Sequence, residues 1–220
     1  MYGRSRIFKY NKLDHRIPLT INRSEDMDKA AFGEGADYFI EKDDVRFLQL
    51  TWWKRYISKC DEIFNQIKQL KLPKELKEGW GLTHDPSQTQ IYLATDGSHR
   101  VYEINFGEEP PKVIKTHRIT DKDSNNVDQL NELEFIDGVL WANRYLTNEI
   151  VLISLESDKV IKTLDLSHFV NKAKEIHPNV AGKNLQFDEC LNGIAYEKET
   201  NTLLVTGKNW RVVFQIQLMN

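Results

Sequence analysis

The side chains with evident chemical capacity in this 220-residue chain are few and lie far apart. One carboxylate sits between glycines, in Phe32-Gly33-Glu34-Gly35, and one lysine follows a glycine, in Thr206-Gly207-Lys208-Asn209-Trp210. Two asparagines follow leucines, in Leu130-Asn131-Glu132 and Leu191-Asn192-Gly193. Indoles occur in Thr51-Trp52-Trp53 and Gly79-Trp80-Gly81, and a phenol closes Trp141-Ala142-Asn143-Arg144-Tyr145. A carboxylate can move protons, an ammonium and a carboxamide can donate to developing negative charge, and aromatic rings can wall a pocket. Each type also has a plain structural use. A glutamate between glycines is commonly a turn residue, a tryptophan such as Trp53, Trp141 or Trp210 is commonly core, and an isolated lysine is commonly solvated.

Metal and thiol chemistry find no pattern. The histidines (His15, His84, His99, His117, His168, His177) never pair at ligand spacing. Cys60 and Cys190 form no motif and read as buried thiols. No metal and no cofactor are therefore expected. With 30 Lys and Arg against 33 Asp and Glu, the net charge of −3 offers no basic surface for nucleic acid. No apolar run approaches the roughly 20 residues of a membrane span, so no membrane partner is expected either. Met1 to Arg6 lacks the apolar region of a secretory signal.

The elements that would position these residues show themselves as a repeat. Lys112-Val113-Ile114-Lys115-Thr116 recurs as Lys159-Val160-Ile161-Lys162-Thr163, and Ile91-Tyr92-Leu93-Ala94-Thr95 corresponds to Val139-Leu140-Trp141-Ala142-Asn143. Further copies run through Leu203 to Ile216 and, more weakly, Phe47 to Ile57. Each is a series of short β-branched and aromatic runs, separated by turns such as Asp96-Gly97-Ser98 and Asp137-Gly138. Four short strands at a period of about 40–50 residues describe the blades of a β-propeller. The pattern predicts one all-β domain over residues 1–220: a partial first blade at 1–24, then blades at 32–73, 79–120, 130–167 and 190–218. A helical insert is predicted over 168–178, with Ser167 as its N-cap and Pro178 as its stop. This is the expectation of a five-bladed ring from which the N-terminal strands of blade one and the closing strand are missing, leaving seventeen of twenty strands. Glu34, Trp80, Asn131 and Asn192 fall at corresponding blade starts, which would set them around the inner channel.

The ordered series of blade starts and turns is similar to that of the plant-type glutaminyl cyclases, which convert N-terminal glutamine into pyroglutamate. The series includes Phe32-Gly33-Glu34-Gly35, Gln49-Leu50-Thr51-Trp52, Glu78-Gly79-Trp80-Gly81, Asn131-Glu132-Leu133-Glu134, Trp141 to Tyr145, Asn192-Gly193-Ile194-Ala195 and Thr206 to Trp210. The resemblance runs from Tyr2-Gly3-Arg4-Ser5 to the C-terminus. It implies a five-bladed propeller whose site lies at the channel mouth and needs no zinc. Glu34 would be the general acid/base, with Phe32 beside it, and Trp52 and Trp80 would be walls of the substrate pocket. Asn131 and Lys208 would hold the side-chain amide and its developing charge. Asn192 would either contact substrate or bond the inner-strand backbone. Tyr145 stands where the family usually has Trp, which makes that wall smaller and adds a hydroxyl. The family's first-strand motif, which supplies a site glutamine and phenylalanine, does not occur in the chain. Family members commonly enter the secretory pathway, so the resemblance points to that compartment.

The implied chemistry is coherent. The α-amine attacks the carboxamide of its own residue, so holding the side chain curled removes much of the barrier. A carboxylate that takes the amine's proton and returns one to the leaving nitrogen completes the reaction. The expected partners are thus peptides with N-terminal glutamine. The rivals are a propeller that only binds partners and a calcium-dependent lactonase-like propeller.

Overall fold

The computed structural model describes residues 31–88, 90–176 and 189–219, together with the backbone of 9–10 and 18–20. Strands β1 (Lys9–Tyr10) and β2 (Pro18–Thr20) form a two-stranded antiparallel sheet, in which Lys9 pairs with Thr20. Four antiparallel blade sheets follow. The first comprises β3 (Gly33–Glu41), β4 (Asp44–Thr51), β5 (Tyr56–Cys60) and β6 (Gln66–Lys71). The second comprises β7 (Leu82–His84), β8 (Ile91–Thr95), β9 (Arg100–Asn105) and β10 (Lys112–Arg118). The third comprises β11 (Leu130–Ile136), β12 (Val139–Arg144), β13 (Glu149–Ser154) and β14 (Lys159–Asp165). The fourth has three strands, β15 (Leu191–Glu197), β16 (Thr202–Gly207) and β17 (Phe214–Gln217).

The expected count of five blades is corrected to four. Where a partial first blade was expected, the described residues supply two strands of two and three residues, enough for a hairpin and too little for a blade. Within each full blade, position across the sheet sets composition. The second strands carry runs of buried residues, as in Leu48, Gln49, Leu50 and Thr51 of β4 and Leu140, Trp141, Ala142 and Asn143 of β12. The fourth strands β6, β10 and β14 are mostly exposed and carry the repeated lysines, which blunt an open edge against pairing with another chain.

The chain divides into two compact units, one formed by Met1–Ala94 and Glu103–Ile114, the other by Thr95–Tyr102 and Lys115–Asn220. In the first unit Leu48, Leu50, Ile57, Leu72, Leu76 and Leu82 are fully buried. In the second, Trp141, Ile150, Leu166, Val170, Leu191, Leu203 and Val205 share one cluster. Helix α1 (Ser167–Ile176) lends Val170 and Ala173 to the core, while Ile176 is exposed. Its cap is also corrected. Asp165 Oδ1 accepts the Ser167 amide at 2.8 Å, and the Ser167 hydroxyl instead accepts from Asn148 at 3.0 Å, so the capping carboxylate lies two residues earlier. Pro178, the expected stop, lies outside the described residues.

Candidate functional site

The blade starts owe their geometry to a repeated irregularity in register. Gly33 pairs with Thr51 and Ala36 with Gln49, so three steps on β3 oppose two on β4. The same slip separates Leu130 from Leu133 against β12, and Leu191 from Ile194 against β16. Each is a one-residue β-bulge, which bends the strand and re-aims a side chain. The residues held on these bulges are Glu34 with Gly35, Asn131 with Glu132, and Asn192 with Gly193. Immediately after each second strand, one amide returns to the segment that enters the bulge. Trp52 N–H donates to Phe32 O at 3.0 Å, Tyr145 N–H to Gln129 O at 2.8 Å, and Lys208 N–H to Cys190 O at 2.9 Å. Trp52, Tyr145 and Lys208 are therefore equivalent positions beside equivalent bulges.

In the first unit the chemistry-bearing residues are close-knit. Glu34 is half-buried on its bulge. Gly35 is fully buried, and its amide donates to Trp80 O at 2.6 Å. A Cβ at Gly35 would stand 2.4 Å from that oxygen and 2.6 Å from Leu82 N. The Phe32 ring meets Trp52 edge-on, with centroids 6.2 Å apart at 74°. Both indoles donate to one acid: Trp52 Nε1 reaches Glu78 Oε2 at 2.5 Å and Trp80 Nε1 reaches the same oxygen at 2.9 Å. Glu78 was not among the residues singled out from sequence.

In the second unit, Asn131 is buried and its carbonyl accepts Thr95 Oγ1 at 3.0 Å, yet its side-chain Oδ1 has no hydrogen-bond partner among the described residues. Asn192 Oδ1 is in the same condition. Asn143, fully buried on β12, accepts the Gly193 amide at 2.9 Å, and its own Nδ2 has no partner among the described residues. Gly193 takes a φ of +141°, a value reserved in practice to glycine. Lys208 Nζ lies 5.0 Å from the centre of the Tyr145 ring, within cation–π range. Buried carboxamide atoms without partners are costly in a fold, and they accumulate where a ligand or water completes them.

Comparison with known proteins gives the chain its family. The sequence model of the glutamine cyclotransferase family matches residues 1–218. The chain belongs to that family. A glutaminyl-peptide cyclotransferase of Arabidopsis thaliana is 28% identical over 224 residues, covering 99% of this chain and 61% of the relative. The chain thus spans about three-fifths of the length of that curated relative. The crystal structure of Myxococcus xanthus glutaminyl cyclase superposes with a TM-score of 0.74 at 20% identity, covering 93% of this chain and 78% of the other. The likeness establishes the all-β propeller fold.

Of the three tryptophans read as core in this cyclotransferase-family chain, two pack there and Trp53 does not. Trp141 is buried, and Trp210 packs partly buried with its Nε1 donating to Glu189 O at 2.9 Å. Trp53 is 50% exposed in the bend after β4, with the Lys54 ammonium 5.3 Å from its ring centre. Both cysteines are buried, and desolvation pushes the Cys60 thiol up to about 11. Among the described residues no cluster of three or more His, Cys, Asp or Glu could hold a metal ion.

Proposed function

We propose that this chain carries glutaminyl-peptide cyclotransferase activity on peptides with N-terminal glutamine. The observation that carries the reading is family membership over residues 1–218, with the Glu34 carboxylate on the β3 bulge. The α-amine nitrogen forms a bond to the side-chain carboxamide carbon, the bond from that carbon to the amide nitrogen breaks, and ammonia leaves. Glu34 takes a proton from the amine and delivers one to the departing nitrogen, so the carboxylate is restored at each turnover. Asn131 and Lys208 donate to the carboxamide oxygen as it gains negative charge. Phe32, Trp52, Trp80 and Tyr145 are the aromatic walls that hold the side chain curled for attack, and Asn192 contributes a carboxamide to substrate binding. Every proton step is assigned to a side chain, and the reading calls on no metal.

The experiment is to incubate the protein with a glutaminyl dipeptide, with and without a chelator, and to measure ammonia and pyroglutamate. Equal yields of both, unchanged by chelator, are expected. Absence of turnover overturns the activity, and loss of turnover with chelator overturns its metal independence. Glu34→Gln should lower kcat by about 10²-fold or more with KM little changed. Near-normal turnover in that variant removes Glu34 from the proton path.

A further inference from the structure

We infer that Glu78 is a positioning residue that sets the orientation of both indole walls through one oxygen atom. The inference rests on the proposed role of Trp52 and Trp80 as walls of the glutaminyl pocket. Trp52 and Trp80 lie on opposite flanks of Glu78 in sequence, 26 residues before it and two after it. Their Nε1–H groups nevertheless end on the same Oε2, at 2.5 and 2.9 Å. Hydrogen bonds to an ionised acceptor are shorter and about twice as strong as neutral ones. An indole has two side-chain torsions, and the broad second one is set by packing and by where the N–H points. Anchoring both N–H groups to one atom therefore fixes the two ring planes relative to each other.

The acid is itself held in place. Arg55 donates through one guanidinium to Leu76 O at 2.6 Å, Lys77 O at 2.9 Å and Pro73 O at 3.2 Å, which ties down the segment entering Glu78. On the leaving side, Gly79 N–H donates to Trp52 O at 3.1 Å. The backbone of Glu78 is thus bracketed between the turn that carries Trp52 and the start of the blade that carries Trp80. Phe32 packs on the Trp52 ring, and Gly35 bonds Trp80 O, so the same carboxylate indirectly frames the bulge of Glu34. A misplacement of about 1 Å in such walls can cost about 10²-fold in rate, because the curled conformer is no longer selected.

The test compares Glu78→Ala and Glu78→Gln in wild type and in a Trp52→Phe/Trp80→Phe background, which keeps rings and removes the N–H groups. Glu78→Ala should lower kcat on a glutaminyl dipeptide about 10²-fold and flatten the near-ultraviolet circular dichroism of the indoles, with the far-ultraviolet strand signal retained. Glu78→Gln, which keeps an acceptor oxygen in place, should recover activity to within about tenfold of wild type. In the double-Phe background Glu78→Ala should add little further loss. The same loss in both backgrounds, or wild-type kcat with an unchanged indole spectrum, overturns the inference. If Glu78→Ala does not fold, Glu78→Met, which keeps the length of the side chain and lacks an oxygen acceptor, decides: unchanged kcat together with unchanged indole bands overturns it. A wild-type protein without ammonia release sinks the proposed activity instead, while the indole spectrum of the variants still tests the clamp.

Discussion

The bulge that opens β3 and the bulge that opens β11 share a register and are secured by different means. On β3 the residue after Glu34 is a buried glycine whose amide is locked 2.6 Å from Trp80 O, with no room for a Cβ. On β11 the residue after Asn131 is Glu132, which keeps a full side chain, and it is Asn131 itself that is buried, at 3% exposure. One bulge is fixed by main chain against main chain and leaves its carboxylate half-buried. The other is fixed by interring its carboxamide. The difference suits the two roles proposed for them: a proton carrier has to exchange protons with its surroundings, whereas a donor to a developing charge gains from being dry and immobile.

The strongest way to break this contrast is Gly35→Ala. The added carbon would meet backbone atoms at 2.4–2.8 Å, which no rotamer relieves, so a loss of about 3 kcal/mol or more is expected in denaturant unfolding. Glu132→Ala on the matching position should stay within about 1 kcal/mol. A Gly35→Ala protein with the wild-type midpoint would show that the β3 bulge is not clamped by its neighbour.

The far ends of the same two hairpins sharpen the comparison. Glu41 pairs with Asp44 across a two-residue loop, and Ile136 pairs with Val139 across another. Both loops have positive φ at each residue: Lys42 at 51° and Asp43 at 70°, Asp137 at 47° and Gly138 at 84°. The second has the residues such a turn prefers, and the first does not. Replacing Lys42-Asp43 with Asn-Gly should raise stability by about 1 kcal/mol, as relief of left-handed backbone at a non-glycine residue does. An unchanged or lowered melting temperature would show that the native loop is held by other contacts.

The smallest effect concerns Glu41 beside that loop. Its hydrogen bond to the Lys59 ammonium at 2.6 Å, and the nearby Arg46, hold its carboxyl below the ordinary value. A depressed carboxyl adds stability above its unfolded pKa and loses it as pH falls through the folded one. The pair is partly exposed, so solvent screening leaves only a few tenths of a kcal/mol. Wild type should exceed Glu41→Gln by that margin at neutral pH, and the gap should close as pH falls through the lowered folded value. A gap that persists at acid pH would mean that the glutamine disturbs packing instead.

What could be read in the sequence followed from periodicity. Lys112 to Thr116 and its copy at Lys159 to Thr163 occupy equivalent fourth strands, and Glu34, Asn131 and Asn192 occupy equivalent bulges. The bulges themselves were not legible, because a one-residue slip is a property of two paired strands and leaves no mark on either alone. Asp137-Gly138 announces its turn, whereas Lys42-Asp43 adopts the same turn against its composition. Glu78 was hidden for another reason. A glutamate before a glycine reads as a solvated turn, and its role depends on where two indoles point. The blade count failed at the N-terminus, where runs that resemble strands in composition supply only β1 and β2 among the described residues.

The three amides that return from Trp52, Tyr145 and Lys208 are main-chain donors on main-chain acceptors. None depends on the identity of the side chain above it. The propeller therefore offers interchangeable sockets: an indole, a phenol and an ammonium are carried on the same local scaffold, at no cost to it. Selection could retune such a surface one residue at a time, without renegotiating the fold beneath.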